Sequence, residues 1–139
     1  MKILQLSDTH NHHSELTELP AADVIVHCGD FLQDCGCVIE GVRFFGLAYN
    51  HPESLIPADT DVVITHEPPV MILDKSAGTH WGNAPLRQRV CEVKPRYHLF
   101  GHAHDAYGVM KAEGTVYSNA ALLDDFHRLC RRPRLFMLS

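Results

Sequence analysis

A chain of 139 residues, 45% of them hydrophobic and 21% charged, is long enough to bury a core without staples and is expected to form one domain over 1–139. Its net charge of −5 disfavours non-specific binding to nucleic acid or anionic membrane, and no apolar run reaches the length of a bilayer span. Five cysteines, odd in number and irregular in spacing, make no disulfide framework, and the first residues turn polar too soon for a secretory signal, so a reduced, cytoplasmic chain is expected.

The unusual figure is 11 histidines, the commonest metal ligands and the usual acids and bases near neutral pH. Residues 2–7 read as a buried strand, with Asp8-Thr9-His10 at its end, where open α/β sheets gather their ligands. His12 and His13 continue as a polar loop. Ser14 is placed to cap a short helix that runs to Glu18 and stops at Pro20. Residues 23–28 form a second, β-branched strand ending in Gly29-Asp30. An irregular link is expected over 31–37, then two strands of a hairpin or bend around Gly41. Asn50-His51-Pro52-Glu53 opens a loop, and Pro57 keeps it from turning helical.

Residues 61–66 are the cleanest strand, with His66 at the tip and Glu67-Pro68-Pro69 forcing a turn. A loop over 71–82 follows. Asn83 suits an N-cap, Pro85 a first helical turn, and Leu86, Val90 and Val93 recur at helical spacing. The strand over 96–100 leads into Gly101-His102-Ala103-His104. Residues two apart in an extended segment point the same way, so His102 and His104 can face one site, while Gly101 lets the backbone turn or approach something bulky. Glu113-Gly114 marks a hairpin, and residues 134–138 read as a closing strand.

Four apolar runs thus end in candidate ligands: Asp8 and His10, Asp30, His66, then His102 and His104. If the strands are neighbours in one sheet, two carboxylates and four imidazoles converge on one edge. That mixed set suits manganese, iron, zinc or nickel rather than calcium, and its lack of cysteine argues against a structural zinc.

Asp8-x-His10, Gly29-Asp30, Thr65-His66 and Gly101-His102-x-His104 resemble the ordered motifs of the calcineurin-like metallophosphoesterases. Thr65-His66-Glu67-Pro68-Pro69, Leu73-Asp74-Lys75 and the run from Lys94 to His104 look like the small metallophosphoesterase-domain-containing branch, a likeness that continues through Tyr107-Gly108 to Asn119-Ala120-Ala121. The resemblance implies α/β architecture: a shortened metallophosphoesterase sandwich of mixed β-sheets flanked by helices. It implies that Asp8, His10, Asp30 and His104 bind one divalent ion, and that Asp30 bridges to a second held by His66 and His102.

The family's Gly-Asn-His-Asp or Gly-Asn-His-Glu motif is missing, with the segment that leads to it. Its asparagine completes the second metal site, which is therefore expected to be weakened, and its histidine contacts the substrate phosphate. Asn50-His51 reads as a turn; the alternative is a relocated replacement, with His51 as a catalytic group and Asn50 touching substrate. His12 reads as a loop residue, with substrate contact as the alternative. His98 reads as packed in its strand, Cys35-x-Cys37 as a turn, and His27 and His127 have no partner pattern.

The expected function is a metal-dependent phosphoesterase of reduced activity. It would hydrolyse a phosphomonoester or phosphodiester, a small phosphate ester or nucleotide, through a metal-activated water. The alternative is a non-catalytic metal- or nucleotide-binding remnant of the same fold. Losing a segment should also expose apolar sheet or an unpaired edge, to be repacked by residues 31–41 or covered by a second copy of the chain.

Overall fold

A computed structural model describes residues 1–10, 12–29 and 33–138. In chain order the strands are β1 (Lys2–Leu6), β2 (Val24–His27), β3 (Cys35–Ile39), β4 (Val42–Gly46), β5 (Val62–Ile64), β6 (Lys75–Ser76) and β7 (Thr79–His80). Helix α1 (Ala84–Val93) follows, then β8 (Tyr97–Phe100), β9 (Gly108–Ala112), β10 (Thr115–Asn119) and β11 (Arg134–Met137). The α/β class stands, with α1 the single α-helix among the described residues. The helix expected from Ser14 is a three-residue 3-10 turn, His13–Glu15; Leu16 and Leu19, the apolar pair at helical spacing, are not buried, so no packing supports a longer helix.

The strands form a sheet ordered β11-β1-β2 and a larger one ordered β3-β4-β5-β8-β10-β9, with β6 and β7 as a separate hairpin. The link expected over 31–37 ends early: Cys35 to Ile39 pair antiparallel with β4. Glu40 (φ 49°) and Gly41 (φ 79°) supply the two left-handed residues that a tight hairpin requires. The same device, a non-glycine followed by glycine, turns β6 into β7 at Ala77-Gly78 and β9 into β10 at Glu113-Gly114. The expected loop over 71–82 therefore contains a hairpin. Asp74, fully buried, anchors it by accepting from Met71 N and Gly82 N at 2.9 Å each and by pairing with His80 Nδ1 at 2.6 Å.

Alternation along the strands builds two cores. Val62 and Leu99 face the smaller sheet and pack with Ile3, Val26, Phe44 and Leu138. Val63 and Phe100 face the other way, against Leu86, Val90 and Val93 of α1. Asn83 caps α1 by accepting from Leu86 N at 2.9 Å, and Lys94 ends it in the left-handed region before Pro95. Gln5 ties the sheets together: its Nε2 donates to Phe100 O and Ser118 O, both at 3.0 Å.

β4, β5, β8 and β10 run parallel, as do β1 and β2. Each set therefore ends at a common edge, and a bridge from Ser7 to Ala121 joins the edges. β2 and β3 are the outer strands of their sheets. Between them lies a largely apolar groove of about 290 Å³ that includes Val26, Cys35 and Phe44, and Ile25 and Val38 are exposed beside it. Residues 35–39 thus repack the margin as a strand and leave a new edge.

His98 sits in this architecture as a core residue, between Phe100 and Tyr117 at ring-centroid distances of 4.9 and 5.7 Å. Thr65 Oγ1 donates to Glu67 O, so it accepts from His98 Nε2 at 2.9 Å, leaving His98 Nδ1 buried without a hydrogen bond among the described residues. Burial pulls its pKa from 6.5 down to about 3. The folded protein keeps this ring neutral while the unfolded chain protonates it, so unfolding takes up a proton between those values. The contribution is whole above pH 6.5 and falls by about 1.4 kcal/mol per pH unit as pH drops toward 3. His98→Gln, which keeps a donor for Thr65 and does not titrate, should flatten the acid limb of a urea-unfolding series measured from pH 7 to pH 4.

Candidate metal centre

The parallel strands deliver five of the six expected ligands to one place. Asp8 and His10 follow β1, His66 follows β5, and His102 and His104 follow β8. Two groups result, Asp8-His10-His104 and Asp8-His66-His102, and within each the ligand atoms lie within 4.8 Å of one another. Asp30 lies outside the described residues, though Gly29 before it lines the same cavity. That cavity, about 460 Å³, is walled by Asp8, Thr9, His10, His27, Gly29, His66, His102, His104 and His127.

Asp8 is common to both groups and is buried. Its Oδ2 accepts from the Ser7 hydroxyl and, at 2.7 Å, from His102 N. Its Oδ1 lies 3.6 Å from His104 Nε2. Burial pushes the Asp8 carboxyl up, but His104, the Ser7 hydroxyl and the His102 amide outweigh it and hold the pKa at about 2. The Ser7 hydroxyl also lies within reach of Cys28 O, so its single proton is shared between that carbonyl and Asp8 Oδ2.

The imidazoles are oriented from behind. His66 Nδ1 lies 3.2 Å from Cys28 O, and His104 Nδ1 lies 3.0 Å from Asp124 O. A carbonyl can only accept, so each Nδ1 is assigned the proton, and each Nε2 presents a lone pair toward Asp8 or His102. Asn119 fixes the loop between the ligands by donating to Ala103 O at 2.9 Å and Leu73 O at 3.1 Å. A proton added at His104 Nε2 would face the Asp8 carboxylate and bond to it, which raises the pKa of His104. Burial, followed by the neighbouring His127, lowers that of His10, and burial, followed by His66, lowers that of His102.

This donor set fits a divalent transition ion. It combines imidazole nitrogens with a carboxylate and has no thiolate. His66 Nε2 and His102 Nδ1 stand 3.1 Å apart. A coordination polyhedron with metal–nitrogen bonds of about 2.1 Å has edges of roughly 3.0–3.4 Å. The backbone is forced to make this arrangement, since Asp8 (φ 53°), His10 (φ 41°) and His102 (φ 68°) all adopt the left-handed region.

The remaining sequence candidates lie apart from these two groups. His51 pairs with Asp34 at 3.1 Å and, with Asn50 (φ 60°, in a turn), lines a small recess beside His66. His12 pairs with Glu15 at 3.0 Å on the surface. His27 and His127, for which the sequence offered no pattern, both face the cavity.

No family model matches the chain. Among curated proteins it is 36% identical over 124 residues to UPF0046 protein K07C11.7 of Caenorhabditis elegans, covering 78% of this chain and 43% of that protein. It is 32% identical over 118 residues to metallophosphoesterase domain-containing protein 1 of Homo sapiens, covering 66% of this chain and 34% of that protein. UPF0046 protein C25E10.12 of C. elegans is 39% identical over 105 residues, 69% of this chain and 37% of that protein. The chain spans less than half the length of these relatives.

Proposed function

The chain belongs to the small metallophosphoesterase-domain family, and from that premise we propose that it is a metal-dependent hydrolase of phosphoric esters. The observation that carries the reading is the shared carboxylate: Asp8 stands in two ligand groups at the floor of one cavity, at the ends of parallel strands. Asp8, His10 and His104 would hold one divalent ion, manganese, iron, zinc or nickel. Asp8, His66 and His102 face the place of a second, and Asp30 is the bridging ligand that the resemblance supplies. Ions bound there would lower the pKa of a water and polarise the phosphoryl oxygens.

The chain's own part is orientation. Ser7 and the His102 amide stop the Asp8 carboxylate from rotating, and the Cys28 and Asp124 carbonyls keep the His66 and His104 lone pairs turned inward. No side chain is required as nucleophile. The family's Gly-Asn-His motif is absent from the sequence, and a missing general acid costs on the order of a hundred-fold in rate, so slow turnover is proposed. The substrate is a small phosphomonoester or phosphodiester, nucleotides included, and the compartment a reducing cytoplasm.

The test is metal analysis of the purified protein together with turnover of aryl phosphate and bis-aryl phosphate. Hydrolysis that needs manganese, zinc, nickel or ferrous ion and stops on chelation is the expected result. A protein that retains metal but turns over neither ester is the non-catalytic remnant, the reading that the missing motif favours. A protein that binds no metal overturns both.

A further inference from the structure

Six imidazoles line the cavity. His10, His66, His102 and His104 are claimed by the two ligand groups, and His27 Nε2 lies 3.2 Å from Thr9 Oγ1. His127 is left over. Its ring stacks on His10 with centroids 4.5 Å apart and planes 17° from parallel, and lies 5.8 Å from the ring of His104. Its ring nitrogens make no hydrogen bond among the described residues.

The backbone around it is built to hold it there. His127 sits at φ 57°, the same strained region as Asp8, His10 and His102. Asp124 clamps the loop: its carboxylate accepts from Phe126 N and Arg128 N at 2.9 Å each and from Arg128 Nε at 2.7 Å. The Asp124 carbonyl accepts from both His127 N, at 2.9 Å, and His104 Nδ1, at 3.0 Å. One carbonyl therefore sets the position of a proposed ligand and of the spare imidazole together. Core packing does not explain the strain, because Phe126 beside it is 79% exposed.

We propose that His127 is a substrate-binding residue, donating a ring N–H to an oxygen of the phosphoryl group held over the Asp8-His10-His104 site. The inference rests on the phosphoesterase reading and adds to it the residue that meets the anion. The probe is inorganic phosphate, the product of monoester hydrolysis, titrated by calorimetry into the metal-loaded protein. His127→Gly relieves the backbone and removes only the ring, and His127→Asn keeps a donor in a residue that tolerates positive φ. His127→Gly should bind phosphate about ten- to a hundred-fold more weakly than the unmodified protein, with unchanged metal content, and His127→Asn should recover most of that loss. Phosphate affinity unchanged in His127→Gly overturns the inference and leaves the proposed function standing. Metal lost from His127→Gly also overturns it, because the ring would then serve only to support His10. Unmodified protein that binds metal but no phosphate also overturns the inference, while the proposed function is judged separately by ester turnover.

Discussion

Asp8→Asn is expected to empty both ligand groups at once and to leave the fold intact. No other described side chain belongs to both groups. The carboxylate is 5% exposed, with one oxygen turned to His104 and the other receiving Ser7 and His102 N. An asparagine of the same shape can keep its oxygen on Ser7 and the His102 amide, which preserves the local packing. It then turns an uncharged NH2, a donor, toward the place where Oδ1 offered a lone pair. Losing an outer partner of a metal ligand typically costs about 10- to 100-fold in affinity or activity, and losing a charged ligand shared by two groups should exceed that. Elemental analysis should find Asp8→Asn at background, with aryl phosphate turnover reduced by more than about a hundred-fold. His10→Ala and His102→Ala, each of which touches one group, should keep part of the metal. Full metal content in Asp8→Asn would overturn the shared-carboxylate reading. The metal-free thermal midpoint should move by no more than a few degrees, because the bonds that anchor the neighbouring backbone remain.

The elements legible in the sequence are those whose signal is local. The strands at 2–6, 24–27, 62–64 and 97–100 were marked by β-branched or leucine-rich runs, and α1 by Asn83, Pro85 and the spacing of Leu86, Val90 and Val93. Their tips carry the candidate ligands because parallel strands end on one side, so the meeting of Asp8, His10, His66, His102 and His104 in one place was legible in the sequence. The sixth, Asp30, lies outside the described residues. What was not legible depends on contacts between distant segments. Cys35-Gly36-Cys37 looks like a turn because glycine and cysteine carry little strand preference, yet β4 offers a free edge and the segment pairs with it. The β6–β7 hairpin has strands of two residues each, too short for any periodicity, and depends on buried Asp74 for its shape. His127 could not be found from pattern: it lies in no strand, and its place is set by a carbonyl shared with His104. The glycine that turned out to matter was legible in kind, since Gly101 was expected to bring backbone close to something bulky, but not in object.

That object is Asp8. A Cβ built on Gly101 would stand 2.1 Å from Asp8 Oδ2, 2.1 Å from Ser7 Oγ and 2.6 Å from Ser7 Cβ. The obstacle is space between the ends of β8 and β1. Neither neighbour can step aside cheaply. Ser7 is fully buried, its hydroxyl lies on Cys28 O, and its carbonyl accepts from Leu122 N at 3.1 Å. Asp8 can move only by giving up Ser7 and the His102 amide, which leaves a buried carboxylate short of partners. The other escape is to draw β8 away from β1, which breaks the bond from Gln5 Nε2 to Phe100 O that joins the sheets. Forcing a methyl into a packed interior typically costs about 1–3 kcal/mol, and the broken charge-assisted bonds add to that. Gly101→Ala should therefore lower the thermal midpoint of the chelator-treated protein by roughly 5–15 °C, and it should also fail to hold metal. Asp8→Asn and Gly101→Ala then share the second defect and differ in the first. Melting both variants without metal, beside the unmodified protein, separates a missing ligand from a displaced one. Unmodified stability and metal content in Gly101→Ala would mean that the two strand ends do not meet, and that Asp8 is not held where both ligand groups require it.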